Sequence, residues 1–153
     1  MWVKLKKIKG DASFREFYRN RENKSIIVIS KKEKLKNLLI YDAINKILIK
    51  NKILAPNLIS ENYINNYIEI NDFGDQTLFQ ILKNKKNNKY DIFKKIIKIL
   101  NKIQLIKDKK VKNFKNKLYK VQEYNHNILL DETKLFCDWY APKILSKSKS
   151  IQF

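Results

Sequence analysis

The sequence predicts an α+β protein in which an antiparallel five-stranded sheet with one helix comes first and further helices follow. Two patterns carry this prediction. Over residues 3–30 the apolar side chains alternate with polar ones or run continuously, whereas over residues 34–50 they recur at helical spacing. The chain has 153 residues, of which 44% are hydrophobic, so it is long and apolar enough to form a core.

The first two predicted strands enclose a short polar turn. The strand before it carries apolar residues at Val3, Leu5 and Ile8, and the strand after it alternates from Phe14 to Arg19. The turn consists of Gly10, Asp11, Ala12 and Ser13. Glycine permits positive φ and a close backbone approach, and a serine hydroxyl and free amides donate to anions. The segment is therefore either an ordinary hairpin or one that holds a phosphate.

A third strand, a helix and two more strands follow in that order. Ser25–Ser30 is a β-branched run typical of a buried strand. The helix over 34–50 is bounded by Pro56, and its predicted apolar face consists of Ile40, Ala43, Ile44, Ile47 and Leu48. Leu58 and Ile59 begin a short strand, Asn65 and Asn66 turn the chain, and Tyr67–Ile70 returns toward a break at Phe73, Gly74 and Asp75.

Beyond Asp75 the pattern is helical. Leu78–Leu82 predicts a short helix, Lys83–Lys89 a solvated loop, and Lys107–Lys112 a polar connector. The segment from Tyr90 to Ile106 predicts a longer helix whose apolar face is formed by Phe93, Ile96, Ile97, Leu100 and Ile103. A further helix is predicted through Phe114, Leu118 and Val121, and a last one over Ile128–Tyr140 that Pro142 breaks.

Three segments resemble one family in the same order. Gly10–Arg19 resembles the first hairpin of the aminoglycoside phosphotransferase superfamily of small-molecule kinases, and its closest subgroup is the anomeric kinases of N-acetylmuramate and N-acetylglucosamine. Glu69–Asp75 is similar to that subgroup's segment at the hinge between the two kinase lobes. The third match resembles a helix that precedes the catalytic loop, through Glu132, Leu135, Phe136, Asp138, Trp139 and Tyr140.

The resemblance implies a kinase-like fold and roles for particular residues. Residues 1–75 would be the small lobe and hinge, and residues 76–153 the helical start of the larger lobe. Gly10, Asp11, Ala12 and Ser13 would lie over the ATP phosphates, the backbone near Asn71 and Asp72 would meet the adenine edge, and Gly74 would turn the chain into the larger lobe. Arg15 and Arg19 would either pair with phosphate or lie on the outer face of their strand.

The chain departs from the family pattern at two places. The third strand carries no lysine and the following helix no glutamate, so Lys31 or Lys32, with Glu33 or Asp42, are the substitutes. No complete catalytic loop is present, and hence no catalytic residue and no metal ligand is assigned. The segment beginning His126, Asn127 superficially resembles the family's loop, with Asp138 imitating a metal ligand. No aspartate precedes Asn127 as the general base, which favours a helix there.

The resemblance therefore covers the front half of a kinase. A truncated gene, an incomplete sequence and a shortened descendant that binds without catalysing are the alternatives. In each case we expect the apolar faces of Tyr90–Ile106 and Ile128–Tyr140 to be exposed and to favour self-association. Any Mg²⁺ ligands are expected in the missing part.

The net charge of +19 invites a nucleic-acid hypothesis, but only Arg15, Arg19 and Arg21 are arginines, the residues preferred for bidentate phosphate and base contacts. The lysines are scattered, as an AT-rich genome would produce. A single cysteine excludes an internal disulfide and fits a reducing compartment. No secretory signal or membrane-length apolar run is seen, so a cytoplasmic location is expected.

Three functions are compatible with these features of the sequence. The first is ATP-dependent phosphorylation of a sugar or amino-sugar hydroxyl, with ATP and Mg²⁺ as cofactors. The second is a non-catalytic nucleotide-binding remnant, and the third a lysine-rich nucleic-acid-binding domain. A response to ATP separates the first two from the third.

Overall fold

The structure is a computed structural model that describes residues 5–9, 14–83 and 88–144. Contacts divide the chain into two compact units, Met1–Lys120 and Val121–Phe153. The predicted turn Gly10–Ser13 and Val3 lie outside the described residues, as does most of the predicted loop Lys83–Lys89. The boundary expected at Asp75 rests on the family resemblance and stays a prediction.

The first unit is built on an antiparallel five-stranded sheet, which confirms the α+β class. The strands are β1 Leu5–Ile8, β2 Arg15–Asn20, β3 Ser25–Ser30, β4 Leu58–Asn62 and β5 Tyr67–Asn71. Their order across the sheet is β1-β2-β3-β5-β4, so the β-branched strand β3 is central, as its continuous apolar run requires. The predicted strand boundaries agree with these to within one or two residues, apart from β4, which continues to Asn62.

Asparagines close two of the sheet's turns within the described residues. In the turn after β2, the Asn20 side chain accepts the Glu22 N–H at 3.1 Å. Between β4 and β5 the predicted turn is confirmed: Asn65 donates its N–H to the Asn62 carbonyl at 3.1 Å and Asn66 adopts a φ of 63°. Asparagine tolerates this left-handed conformation better than most residues.

Helix α1, Lys36–Lys50, lies on the inner face of the sheet and confirms the helix predicted over 34–50. The buried core is formed by Ile26, Val28, Leu38, Ile68 and Ile70. The predicted apolar face of α1 is only partly right, since Ala43 and Ile47 are buried but Ile40 is exposed and Asp42 is buried. The buried face of α1 is therefore rotated from the predicted apolar face, because a second layer of structure also packs on the helix.

That second layer is a hairpin, and the helix predicted through Phe114, Leu118 and Val121 is wrong. Strand β6, Lys110–Lys112, pairs with β7, Leu118–Lys120, so the end of the predicted connector is also a strand. The Asn113 side chain accepts the N–H groups of Lys115 at 3.0 Å and Lys117 at 3.1 Å, which closes the turn. Phe114 lies in this turn and packs against the core, so it is not part of an apolar helix face with Leu118 and Val121.

Two predicted helices complete this unit, α2 Leu78–Lys83 and α3 Lys89–Gln104. Asn88 caps α3 by accepting the Tyr90 N–H at 3.0 Å. The predicted apolar face of α3 is largely open to solvent: Phe93 is 50% exposed and Ile97 55%.

The second unit is helical, with α4 His126–Leu135, a widened turn Phe136–Tyr140 and α5 Ala141–Ile144. Pro142 does not break the helix as predicted. A proline ring would clash with the carbonyl four residues earlier in a regular helix, and the widened turn, in which Ala141 donates to Phe136 five residues back, accommodates it. Large apolar side chains of this unit are exposed as well, including Leu129, Leu135, Phe136 and Trp139.

Within the described residues, every helix is too short or too polar to cross a lipid bilayer.

Candidate functional site

An open cavity of about 260 Å³ lies on the inner face of the sheet, where β5 ends. Four strands and α1 contribute to its walls. Apolar side chains line one side: Ile8, Phe17, Ile26, Tyr41, Pro56 and Ile70. The chain that follows β5 lines the other side, from Asn71 through Asp75 to Thr77. The cavity thus joins an apolar surface to the chain segment at and after the end of β5.

The apolar wall follows from strand alternation. Arg15, Phe17 and Arg19 are two residues apart along β2, so all three point to the inner face. The Phe17 ring meets the Tyr41 ring of α1 edge to face, with 6.5 Å between their centroids. Phe17 and Ile8 are paired in the sheet register, and both therefore form the wall on the side of the first hairpin.

Asn71, predicted at the hinge, lines the cavity and is held by the chain after Pro56. Its N–H donates to the Asn57 carbonyl at 3.2 Å, and its side-chain oxygen accepts the Asn57 N–H at 3.1 Å. The Asn71 side-chain oxygen is thus occupied in fixing the end of β5.

Asp72, the other predicted hinge residue, shapes the turn that follows. One of its carboxylate oxygens accepts the Gly74 N–H at 2.8 Å. Gly74 has a φ of 84°, so the prediction that this glycine permits a turn is confirmed. A side chain at position 74 would meet no atom within 4 Å, and the requirement for glycine is one of backbone conformation.

Arg19 joins β2 to this turn. Its Nε donates to Asp72 Oδ2 at 2.5 Å and its Nη2 to Asp72 Oδ1 at 3.0 Å, while Nη1 donates to Asp75. The Arg19 and Asp72 side chains are only 11% and 12% exposed. The hydrogen bonds that Arg19 donates to Asp72 and then to Asp75 raise the pKa of Arg19. The same bonds lower the pKa of both carboxyls despite the opposing effect of burial.

Arg15 lies on the same inner face, nearer the first turn. Its guanidinium stacks over the Tyr41 ring, 4.8 Å from the centroid. The alternative that Arg15 and Arg19 lie on the outer face of the sheet is therefore wrong. Assignment of Arg15 to a cofactor stays a prediction, as does that of Gly10, Asp11, Ala12 and Ser13, which lie outside the described residues.

The substitutes considered for the missing strand lysine are not assembled into a pair. Lys31, Lys32 and Glu33 are exposed in the turn before α1. Asp42 is buried, but its carboxylate binds Lys46 at 2.9 Å and accepts the Phe114 N–H at 2.7 Å, so it braces neither lysine.

His126 and Asn127 begin α4, and Asp138 lies in the widened turn of the same helical segment. The helical interpretation of residues 128–140 is thus confirmed against the alternative of a degenerate catalytic segment built on two strands. In the part of the chain that the structure describes, no three His, Cys, Asp or Glu side chains come together as metal ligands.

Sequence reasoning missed the apolar wall of the cavity, including Ile8 and Phe17 from the first hairpin and Tyr41 from α1. The alternation of β2 was a sufficient signal for Phe17. Asp75 was read only as part of the chain break, and its bond to Arg19 has no local signal. No protein-family model matches this chain, and no curated protein is similar to it in sequence.

Proposed function

We propose that this cavity binds the adenine ring of ATP, and that the chain is the nucleotide-binding part of a small-molecule kinase acting on a sugar or amino-sugar hydroxyl. One observation carries the proposal. The segment expected to meet the adenine edge, Asn71 and Asp72, lines a cavity whose other wall comes from the strands that flank the expected phosphate turn.

The size and the lining of the cavity support binding of a purine ring. Ligand sites are typically ~300–1,000 Å³, apolar, with a few polar groups that fix orientation. At about 260 Å³ this cavity suits one ring system rather than a whole nucleotide. Ile8 and Ile70 would contact the ring faces, and the backbone of residues 71–73 would meet the polar edge of the ring.

The phosphates would extend from the cavity toward the turn Gly10–Ser13. Arg15 is a cation on the inner face at the start of β2, the end of the strand nearest to that turn. It is paired in register with Ser30, the last residue of β3. When bound, Mg²⁺ would neutralise phosphate charge during transfer. The described residues bring together no group of three or more His, Cys, Asp or Glu side chains that could hold Mg²⁺, so we assign it no ligands.

ATP binding is tested by calorimetry and by thermal unfolding with and without ATP. At free ATP ~100-fold above its Kd, binding stabilises the folded state by ~2.7 kcal/mol, a rise in Tm of several degrees. Ile8→Glu should abolish the response, because it places a carboxylate in the apolar wall. Ile64→Glu makes the same change in the turn between β4 and β5, where Ile64 is 91% exposed, and should leave it intact.

Failure of the wild-type chain to respond to ATP, or an equal response in Ile8→Glu, would refute the proposal. Transfer of phosphate from ATP to an amino sugar then separates an active kinase from a binding remnant. Steeply salt-dependent binding to nucleic acid without any response to ATP would favour the lysine-rich binding domain instead.

A further inference from the structure

We infer that Arg19 is a positioning residue of this cavity, which holds the chain after β5 in the conformation that admits a ring, and not a ligand for phosphate. The inference rests on the proposed function, because it assigns Arg19 a part in binding the base. It differs from both alternatives that the sequence left open for Arg19, which were a phosphate ligand and a residue on the outer face of the strand.

The bonds of Arg19 join the two walls of the cavity. The side chain leaves β2 and donates to Asp72 through two nitrogens and to Asp75 through the third. Asp72 in turn accepts the Gly74 N–H at 2.8 Å. One guanidinium therefore fixes both the position of residues 72–75 against β2 and the tight turn within them.

The bonds that Arg19 already makes argue against phosphate binding. Arg19, Asp72 and Asp75 all line the cavity, and together they carry one positive and two negative charges. Lys6, which is paired with Arg19 in the sheet register, also acts on Asp75, so the four side chains together carry no net charge. A phosphate would therefore find no net positive group here, and it could reach the Arg19 guanidinium only by displacing a bidentate carboxylate. A neutral ring meets no such opposition. The group is thus suited to the base end of a nucleotide.

Comparison of adenosine with ATP tests the inference. If Arg19 positions the base site, Arg19→Gln weakens both ligands by the same factor, which we expect to be about tenfold, equivalent to ~1.4 kcal/mol. If Arg19 contacted phosphate, ATP would be weakened and adenosine unchanged. Arg21→Gln is the matched control, since Arg21 is exposed in the turn after β2. This variant should bind both ligands as the wild type does.

A double mutant distinguishes a positioning role from a general loss of stability, because only a positioning role predicts that ligand affinity recovers. Asp72→Asn should weaken both ligands like Arg19→Gln, and it replaces that variant if the latter does not fold. In Arg19→Gln/Asp72→Asn two neutral amides can bond to each other, so we expect affinity to return above that of either single variant. All affinities are to be measured by calorimetry at a temperature where each variant is folded.

The outcomes separate the two ideas. A wild-type chain that binds neither adenosine nor ATP overturns the proposed function and this inference with it. A wild-type chain that binds both overturns only the inference if Arg19→Gln weakens ATP alone, leaves both unchanged, or combines with Asp72→Asn without recovery.

Discussion

At the scale of single residues, the ion pairs of Arg19 make this corner of the sheet sensitive to acid. Arg19 holds the pKa of Asp72 and Asp75 below their ordinary range. A carboxyl with a lowered pKa in the folded state binds its proton less readily there than in the unfolded chain, where the pKa is ~3.9. Its contribution to stability is therefore complete above that pH and disappears as the pH falls through the folded-state value.

We predict that the stability difference between the wild type and Arg19→Gln depends on pH. At pH 7 the variant should unfold more easily by about 1.5–2 kcal/mol, the lower end of the range for hydrogen bonds to charged groups. Below about pH 4 the difference should shrink, because the carboxylates become protonated in both proteins. Urea unfolding at pH 7 and pH 3 measures it, and an equal difference at both pH values would contradict the assignment.

Residue roles were predictable where they followed from strand alternation and unpredictable where they depended on distant partners. The turn conformation of Gly74 was evident from its place between a strand and a polar break. The partner of Arg19 was not, because Asp72 lies 53 positions away and no local pattern joins them. A buried carboxylate such as Asp42 also contradicts the usual expectation that charged residues face solvent.

At the scale of elements, the hairpin β6–β7 is docked on α1 and on the end of β4 by a few specific contacts. The buried Asp42 carboxylate accepts the Phe114 N–H, and Lys115 pairs with Glu61 at 2.7 Å near the turn after β4. The Phe114 and Tyr63 rings meet edge to face, 5.8 Å apart. These contacts form a second layer over the helix and explain why its burial is displaced from its apolar stripe.

We predict that Asp42→Ala loosens this hairpin. The substitution leaves the Phe114 N–H without its acceptor, and it should cost about 2 kcal/mol of unfolding free energy. Lys46→Ala removes only the ion pair of the same carboxylate, and because Lys46 is 40% exposed we expect a loss of at most about 1 kcal/mol. Urea unfolding gives both values, and hydrogen exchange at Phe114 should accelerate in Asp42→Ala alone. An equal loss in the two variants would show that the N–H bond is not the important one.

The elements of the sheet were predictable, whereas this hairpin was not. The strands β2, β3 and β5 each carry five or six residues of clear pattern. The strands β6 and β7 have three residues each, too few for alternation to show, and Phe114, Leu118 and Val121 happen to fall at helical spacing. The sequence signal for the hairpin was a pair of asparagines in its turn. The Asn113 side chain accepts a hydrogen bond within the turn, and Asn116 adopts a positive φ.

At the scale of the whole molecule, each unit presents large apolar side chains to solvent. On α3 these include Tyr90 at 73%, Ile97 at 55% and Leu100 at 51% exposure, and in the second unit Trp139 at 70%. The sequence predicted both faces. Contiguous apolar surface of this kind favours association or low solubility.

We predict concentration-dependent self-association that the face of α3 contributes to. The double variant Ile97→Lys/Leu100→Lys should lower the weight-average mass measured by analytical ultracentrifugation at a given protein concentration, because the two lysines place charge within the apolar face. The Tm should change little, since both side chains are already half exposed. Lys94→Ala with Lys98→Ala, also on α3, should not reduce association. A wild-type chain that sediments as a monomer at all concentrations would contradict this prediction.

The bond from Arg19 to Asp72 also has a consequence for the order of folding. Its two ends are 53 positions apart, and β3, α1, β4 and β5 all lie between them. Closing so long a loop is entropically costly until the intervening elements have formed. The cavity should therefore be completed only after β2 to β5 have assembled, so a ligand that binds in it during refolding would report the last step in the assembly of the sheet rather than its nucleation.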